Sequence, residues 1–453
     1  MTSLPEDLLR SLEGLPGFNR DAFEAIHTAG PPVTSVRVNP GKRAGEFAGA
    51  VPVPWSSWGF YLPHRPSFTF DPFFHAGAYY VQEASGMFLE QAMRQAADLA
   101  RPLRVLDLCA APGGKSTLLQ SLLSRESLLV SNEVIRGRVN ILQENVVKWG
   151  AANVVVTSND PHDMGRLENY FDVLVVDAPC SGSGLFRREP EAIREWSPDN
   201  VRLCYQRQRR ILADSWPALR KDGLLIYSTC AYSREENEDI VDWLVEDLGA
   251  ITCRLRVRAE WMIVETAGRT GASGYRFYPD RLRGEGLFMA CLRKTDGGAF
   301  AAPRKKGNVE RVPGKDLERI TGWVSGSTGL ANFYHQDLIH VIPEELIADL
   351  SVLRSACYLR RAGIPIGKLS PKEFIPEHDL AMSTLVAPGL PSIPLTREQA
   401  LSYLRKEELP PVSDHRGWML VQYEGLNLGW IKALPGRINN YYPKEWRILR
   451  REP

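Results

Sequence analysis

The chain has 453 residues and a nearly balanced charge, with 55 lysines and arginines against 54 aspartates and glutamates. Its length predicts two or three domains, and its 44% hydrophobic and 24% charged composition, without a membrane-length apolar run or a signal peptide, predicts a soluble cytoplasmic protein. The seven cysteines form no Cys-x-x-Cys pair, so neither a disulfide framework nor a metal site is expected.

The first 95 residues combine a short helical start, Glu6 to Glu13, with segments rich in proline and aromatic residues. This texture favours an accessory α/β module over residues 1–95. From Arg104 onward, predicted strands and helices alternate, which is typical of a parallel sheet with helices on its faces. Strands are predicted over 104–108, 128–132, 153–157, 171–176, 223–228 and 287–292, and helices near 115–124, 136–148, 199–218 and 235–247.

A glycine-rich turn follows the first of these strands and consists of Cys109, Ala110, Ala111, Pro112, Gly113, Gly114 and Lys115. A strand that runs into such a turn and then into a helix presents free backbone N–H groups to a ligand's carboxylate or hydroxyl. Glu133 follows the next strand, 20 residues after Gly113. At this spacing, an acidic residue of a dinucleotide-binding fold accepts both ribose hydroxyls.

Two cysteine motifs end later strands of the same predicted sheet. Asp177 begins the segment Asp-Ala-Pro-Cys-Ser-Gly, which contains Cys180, and Cys230 lies in the segment Ser-Thr-Cys-Ala. Segments just past the carboxyl ends of neighbouring parallel strands line one crevice. We therefore expect both thiols to face the glycine turn across that crevice.

These motifs, in this order, resemble those of the Sun-type family of S-adenosylmethionine-dependent RNA cytosine-C5 methyltransferases. The resemblance covers roughly residues 30 to 295, and the remainder is similar to the C-terminal region of the bacterial F-type members that act on 16S rRNA. The resemblance implies an α/β fold: a Rossmann-like class I methyltransferase domain with an N-terminal α/β accessory module and a C-terminal β-rich, PUA-like RNA-binding region. The implied cofactor is S-adenosyl-L-methionine.

The resemblance also assigns roles to individual residues. Cys230 matches the nucleophile that adds to carbon 6 of cytosine, and Cys180 matches the residue that assists proton removal from carbon 5, either as the base or by positioning a water. Asp177 is expected to hold the base edge and to contact the cofactor. Further cofactor contacts are implied at the 109–115 loop, at Glu133, at Asp160 rather than Asp163, and at Arg138, which could equally be a surface arginine. Ala231 departs from the family, since many relatives have threonine after the nucleophile.

The expected domains are an RNA-binding N-terminal module (1–95), the methyltransferase domain (96–297), a linker (298–312), a C-terminal domain (313–385) and a PUA-like RNA-binding domain (386–453). Short apolar runs over 334–342, 353–359 and 418–423, punctuated by glycine and proline, predict a β-rich tail.

RNA is the expected partner, although the net charge is only +1. For contact with phosphates, the local charge of a surface matters more than the net charge of the chain. Basic residues cluster at 187–188, 207–210, 304–306, 360–361 and 447–451. The expected function is methylation of cytosine carbon 5 in RNA, with 16S rRNA as the favoured substrate. A tRNA substrate and a non-catalytic RNA-binding assembly factor are the alternatives. A monomer is expected, although the sequence does not determine the oligomeric state.

Overall fold

The structure is a computed structural model that describes residues 3–29, 31–42, 45, 47–302, 307–326, 328–410 and 415–451. The basic cluster at 304–306 therefore lies outside the described residues. Within those ranges, no helix combines the length and the apolar character that crossing a membrane requires.

The N-terminal region contains a small antiparallel sheet flanked by helices. Arg37, on one of its strands, is fully buried and donates to Gln82 at 2.7 Å and to the backbone carbonyl of Gly114 at 3.2 Å. This side chain fixes the small sheet against the glycine turn of the main domain. The elements are helices α1 (Glu6–Leu12), α2 (Arg20–Thr28), α3 (Pro72–His75) and α4 (Leu89–Ala96), and strands β1 (Ser35–Val38), β2 (Val51–Pro52), β3 (Gly59–Tyr61) and β4 (Tyr79–Val81), in the sheet order β2-β3-β1-β4.

A ten-stranded sheet forms the centre of the molecule. Nine of its strands are β5 (Arg104–Asp107), β6 (Leu128–Asn132), β7 (Val154–Thr157), β8 (Phe171–Asp177), β9 (Leu219–Thr229), β10 (Ile251–Thr252), β11 (Val264–Ala267), β12 (Ser273–Phe277) and β13 (Leu287–Arg293), and the tenth is β16 (Leu359–Ala362). The order is β11-β12-β13-β9-β8-β5-β6-β7-β16, with β10 also paired to β13. Strands β5 to β9 are parallel, whereas β13 and β16 run antiparallel to their neighbours.

The parallel strands are apolar on both faces because helices cover both sides of the sheet. Along β7, for example, Val154 and Val156 pack into one core cluster and Val155 into the other. The covering helices of this region are α5 (Gly114–Leu122), α6 (Arg136–Trp149), α7 (Pro161–Gly165), α8 (Ala192–Glu195), α9 (Pro198–Ser215) and α10 (Glu238–Glu246). The order places β5 between β6 and β8, and a crevice forms where the winding reverses in this way. The expected Rossmann-like sheet is thus confirmed.

The C-terminal region contributes two further four-stranded sheets. Their orders are β14-β15-β17-β18 and β19-β20-β21-β22. The elements are helices α11 (Gly314–Ile320), α12 (Ile347–Ala356), α13 (His378–Met382) and α14 (Arg397–Leu404), and strands β14 (Leu330–His335), β15 (Leu338–Pro343), β17 (Ile364–Leu369), β18 (Phe374–Pro376), β19 (Ser392–Pro394), β20 (Gly417–Tyr423), β21 (Leu426–Leu434) and β22 (Arg437–Asn440).

One prediction for the tail is wrong. The apolar run over 353–359 is not strand throughout, because helix α12 extends to Ala356. Leu350 and Leu353 are three residues apart, lie on the same face of this helix, and are buried in the core of the central sheet. The chain then continues directly into β16 at the sheet's edge. Helix α12 and strand β16 therefore pack with the central sheet.

Candidate active site

The glycine turn between β5 and α5 has a backbone shape that only glycine adopts without strain. Gly113 has φ of +116°, and a Cβ there would lie 3.2 Å from the Cβ of Asn145. Helix α6 fixes the turn from behind: Arg138 donates to the Ala111 carbonyl at 2.7 Å, and Asn145 donates to the Pro112 carbonyl at 2.9 Å. Arg138 therefore lies beside the glycine turn, and its contact with the cofactor stays a prediction.

Two buried carboxylates beside the turn have oxygens without hydrogen-bond partners among the described residues. Asp107 accepts from Ser116 at 2.6 Å through Oδ2, while its Oδ1 has no donor. Burial raises the pKa of Asp107 to about 7. Glu133 accepts from the Ile135 backbone N–H at 2.9 Å through Oε1, and its Oε2 makes no hydrogen bond, although Arg138 lies 3.5 Å away. A bound ligand carrying N–H or O–H donors would satisfy both oxygens.

The two predicted thiols are in contact. The Sγ atoms of Cys180 and Cys230 lie 3.0 Å apart, and both cysteines are free. The hydrogen bond to Cys230, together with burial, raises the pKa of Cys180 well above its ordinary value. Burial also raises the pKa of Cys109, the first residue of the glycine-rich turn.

Buried side chains from the segment before α10 hold the loops that carry these thiols. Glu236 accepts from both the backbone N–H of Ser181 at 2.8 Å and the Ser181 hydroxyl, and from Gln208 at 3.2 Å. Asn237 accepts from Thr229 at 2.6 Å and donates to the Ala231 carbonyl at 2.9 Å. The backbone around each thiol is therefore fixed by a dedicated buried partner, including the bond to Ala231 at the position where many relatives have threonine.

Asp177 lies at the end of β8 between two donors. Lys115 donates an ion-pair contact to Oδ2 at 2.7 Å, and Ser228 donates to Oδ1 at 2.7 Å. Burial alone would lower the pKa of Lys115, but the Asp177 carboxylate raises it overall. The carboxylate is thus held in one orientation beside the thiols.

A cavity of about 460 Å³ lies beside these groups. Its wall includes most of the predicted site: Cys109, Ala110, Ala111, Pro112, Gly114, Lys115, Arg138, Asp177 and Cys230. Gly113, Glu133 and Cys180 are not part of this lining, and the Cys180 sulfur contacts that of Cys230.

Asp160 lies apart from this cavity. Its carboxylate accepts from the His162 backbone N–H at 3.1 Å, which caps α7, and lies 3.7 Å from Arg210 on α9. The contact with adenine stays a prediction.

The cavity wall also contains residues from outside the predicted catalytic and cofactor site. Tyr80, Val81, Gln82, Glu83 and Gly86 come from the N-terminal region, Leu185, Arg188 and Glu189 from the loop after Cys180, and Glu285, Gly286 and Leu287 from the start of β13. Of these, Arg188 belongs to the basic cluster at 187–188, and all of them lie within the span that resembles the family. Arg187, from a predicted basic cluster, is buried and pairs with Glu285 at 3.1 Å.

A second groove continues from the cavity toward the N-terminal region. It encloses about 570 Å³ and shares Val81, Gln82, Glu83, Arg188 and Glu189 with the cavity wall. Its remaining lining includes the basic residues Arg65 and Arg283. Among the described residues, no group of three or more histidine, cysteine, aspartate or glutamate side chains is placed to hold a metal ion.

Comparison with known proteins identifies the family. Three family models match: one described as 16S rRNA methyltransferase RsmB/F over residues 97–293, one as the N-terminal domain of 16S rRNA methyltransferase RsmF over 4–84, and one as the methyltransferase RsmF PUA domain over 390–448. A ribosomal RNA small subunit methyltransferase F of Escherichia coli O9:H4 (strain HS) is 30% identical over 415 residues, which cover 87% of this chain and 84% of that protein. This chain belongs to the RsmB/F family of 16S rRNA methyltransferases.

Solved structures share the fold of this chain. A methyltransferase homolog protein from Pyrococcus horikoshii is 26% identical with a TM-score of 0.52, covering 64% of this chain and 100% of that one. A structure of NSun6 from Pyrococcus horikoshii with SFG shares the fold at 18% identity and a TM-score of 0.55, covering 65% of this chain and 99% of that one. As an RsmB/F member, the chain is an RNA methyltransferase, and the resemblance deduced from its motifs is confirmed.

Proposed function

We propose that this protein methylates carbon 5 of a cytosine in 16S rRNA through a covalent bond between Cys230 and the base. The observation that carries the proposal is the 3.0 Å contact between the Cys180 and Cys230 sulfurs, because Cys230 also faces the cavity that the glycine turn lines. Family membership supports RNA methylation, and the name of the Escherichia coli relative supports the small-subunit rRNA.

The proposed methyl donor is S-adenosyl-L-methionine, and the residues around the glycine turn fit it. Its ribose hydroxyls would satisfy the free Oε2 of Glu133, and its ammonium group would satisfy the free Oδ1 of Asp107. The backbone N–H groups at the start of α5 would receive its carboxylate. When bound, this cofactor supplies an electrophilic methyl group on a sulfonium centre.

Cys230 makes the cytosine reactive. Carbon 5 of cytosine is a poor nucleophile, but addition of the Cys230 thiolate to carbon 6 forms a C–S bond and turns the C5–C6 unit into an enamine-like nucleophile. Asp177, held by Lys115 and Ser228, would bind the N3 and amino edge of the ring and share a proton as negative charge moves there. Carbon 5 then accepts the methyl group.

Cys180 acts in the release step. Once carbon 5 carries the methyl group, removal of its proton re-forms the C5–C6 double bond and expels Cys230 as a thiolate. The Cys180 sulfur lies 3.0 Å from the Cys230 sulfur, so Cys180 would serve this step either as the base or by positioning a water.

The groove beside the cavity offers a path for the RNA strand that carries the target. Arg65, Arg188 and Arg283 would contact phosphates along it, while the target cytosine leaves its stack to enter the cavity. The N-terminal module (1–95) and the PUA-like domain (386–453) are accordingly proposed to bind RNA together with the methyltransferase domain (96–297). The boundaries at 298–312 and 313–385 belong to the same proposal.

The test uses labelled S-adenosyl-L-methionine with 16S rRNA, or tRNA, from a strain that lacks the gene. Cys230→Ala should lower methyl transfer by at least about a thousandfold, because the covalent step is lost. Cys180→Ala should instead accumulate a protein–RNA adduct that survives a denaturing gel. Cys253→Ala, a partly buried cysteine outside the cavity, is the matched control and should transfer normally.

Full methylation by Cys230→Ala would falsify the covalent mechanism. Labelling of tRNA but not of 16S rRNA would move the substrate to tRNA, the alternative that the sequence left open. Binding of RNA without transfer by the wild-type protein would favour the non-catalytic assembly factor.

A further inference from the structure

A separate cleft opens at the carboxyl ends of the parallel strands, on the side of the central sheet where the two thiols also lie. The cleft is beside β7 and β16, whereas the thiols follow β8 and β9. It encloses about 500 Å³ between the start of α6 and the β7–β16 pair, and none of its residues lines the catalytic cavity. Its lining consists of Arg136, Val139, Asn140, Ser158, Tyr358 and Arg360.

The cleft contains two arginines without ion-pair partners. Within the part of the chain that the structure describes, no carboxylate oxygen lies within 4.0 Å of Arg136 or Arg360. Arg360 has only a hydrogen bond to Asn140, at 3.3 Å. By contrast, the neighbouring Arg361 is buried and pairs with Asp379 at 3.0 Å. The unpaired positive charges are therefore available to an anionic ligand.

Tyr358 presents an exposed ring on a fixed backbone. The residue is 56% exposed, yet its N–H donates to the Asn159 side chain at 3.0 Å and its carbonyl accepts from the Ser158 N–H at 3.2 Å. Exposed aromatic rings beside cationic side chains form stacking surfaces for nucleic acid bases. The hydroxyl of Ser158 and the amide of Asn140 add neutral hydrogen-bonding groups.

We propose that this cleft binds single-stranded RNA, with one base stacked on Tyr358 and its flanking phosphates on Arg136 and Arg360. The inference rests on the proposed function, since it takes the substrate to be RNA. A single strand is favoured over a duplex because the faces of paired bases are occupied by stacking and cannot reach an aromatic ring.

The strand order of the central sheet gives the distance between the cleft and the strands that carry the two thiols. Strand β7 is three positions from β8, and β16 is five positions from β9, which at about 4.8 Å per strand corresponds to about 14 Å and 24 Å. The nucleotide in the cleft is thus a different one from the target cytosine. The cleft would hold a neighbouring part of the strand and contribute affinity without touching the reacting atoms.

The test measures binding of a fluorescein-labelled single-stranded RNA of about 12 nucleotides to the full chain by anisotropy, over a range of salt concentrations. Tyr358→Ala should weaken binding about tenfold, whereas Tyr358→Phe, which keeps the ring, should change it less than about twofold. Arg136→Ala should weaken binding about threefold and reduce the slope of log affinity against log salt by about 0.7. Lys221 is exposed near the start of β9, at the end of the strand opposite to Cys230. Lys221→Ala is therefore the control for a lost positive charge and should bind RNA normally.

Unchanged affinity in Tyr358→Ala overturns the proposal. Equal losses in Tyr358→Ala and Tyr358→Phe overturn it as well, because they would point to the hydroxyl and not to stacking. Normal RNA binding combined with weaker binding of a ribosomal particle would indicate a protein partner, which also contradicts it. Failure of the proposed function is separable: it is a loss of methyl transfer by the wild-type protein, whereas the cleft is judged on affinity alone.

Discussion

The catalytic cavity and the cleft at Tyr358 both lie at the carboxyl ends of the parallel strands of the central sheet. They differ in whether their charged side chains already have partners within the protein. Around the cavity, the catalytic carboxylate and the loop that carries Cys180 are already paired: Asp177 with Lys115, and Glu236 with Ser181. In the cleft, Arg136 and Arg360 lack carboxylate partners among the described residues. A site that fixes its groups in advance serves chemistry, where small displacements lower the rate, while unpaired groups serve adjustable contacts, where a change lowers affinity.

The largest effect is expected from removing one of the buried side chains that hold the catalytic loops in place. Glu236→Ala leaves the Ser181 N–H without its buried acceptor and frees the loop that carries Cys180. We expect kcat for methyl transfer to fall about 100-fold, since misplacement of reacting groups by about 1 Å has effects of this size. Glu236→Gln keeps one acceptor oxygen and should recover most of the rate, as measured with labelled cofactor.

The neighbouring Glu235 is exposed and provides the matched control. Glu235→Ala should leave kcat unchanged. A wild-type rate in Glu236→Ala would show that the loop keeps its position without the carboxylate, and the cavity would then not be preorganised by it.

Alanine substitutions at two glycines should change the free energy of unfolding in opposite directions, one glycine being on the cavity wall and the other beside the cleft. A Cβ at Gly286, on the cavity wall, would lie 2.6 Å from the Cα of Gly184 and 2.4 Å from the ring of Tyr232, so Gly286→Ala should lower the free energy of unfolding by about 1–3 kcal/mol. Gly137, beside Arg136 on α6, has no atom within 4 Å of that position. Gly137→Ala should therefore raise the free energy of unfolding by up to about 1 kcal/mol. Urea denaturation measures both, and equal effects of the two substitutions would remove the contrast.

The sequence predicted the cavity better than the cleft for a physical reason. The strands predicted over 171–176 and 223–228 lie within the observed β8 and β9. Strand order alone then brings both cysteine motifs to one crevice beside the glycine turn. The helix ends differ by a few residues: the long helix predicted over 199–218 ends as α-helix at Ser215. Local pattern was sufficient here because each motif directly follows its strand.

Other features depend on residues that are distant in the chain. Tyr358 reaches Ser158 only because β16 joins the sheet's edge beside β7, a pairing that no local pattern announces. Likewise, the partner of Glu236 lies 55 residues earlier, at Ser181. A buried carboxylate such as Glu236 is indistinguishable in sequence from the exposed Glu235 beside it.

The smallest expected effect is a pH dependence that comes from the buried carboxyl of Asp107, beside the cavity. Because burial raises its pKa to about 7, the folded protein keeps a proton on this carboxyl between about pH 4 and pH 7, where the unfolded chain has lost it. Its contribution to the free energy of unfolding is therefore greatest below about pH 4 and declines as the pH rises toward 7.

Cofactor binding should show the opposite dependence. An ammonium group at the free Oδ1 of Asp107 favours the ionised carboxylate, so affinity for S-adenosyl-L-methionine should rise about fivefold from pH 6 to pH 7 through this group. Calorimetry on the wild type and on Asp107→Asn isolates the contribution, because the asparagine does not titrate and the other groups are common to both proteins. The same pH profile in both proteins would place the ammonium group away from Asp107. A pH-independent affinity for RNA in the cleft, whose arginines stay charged throughout, would complete the comparison.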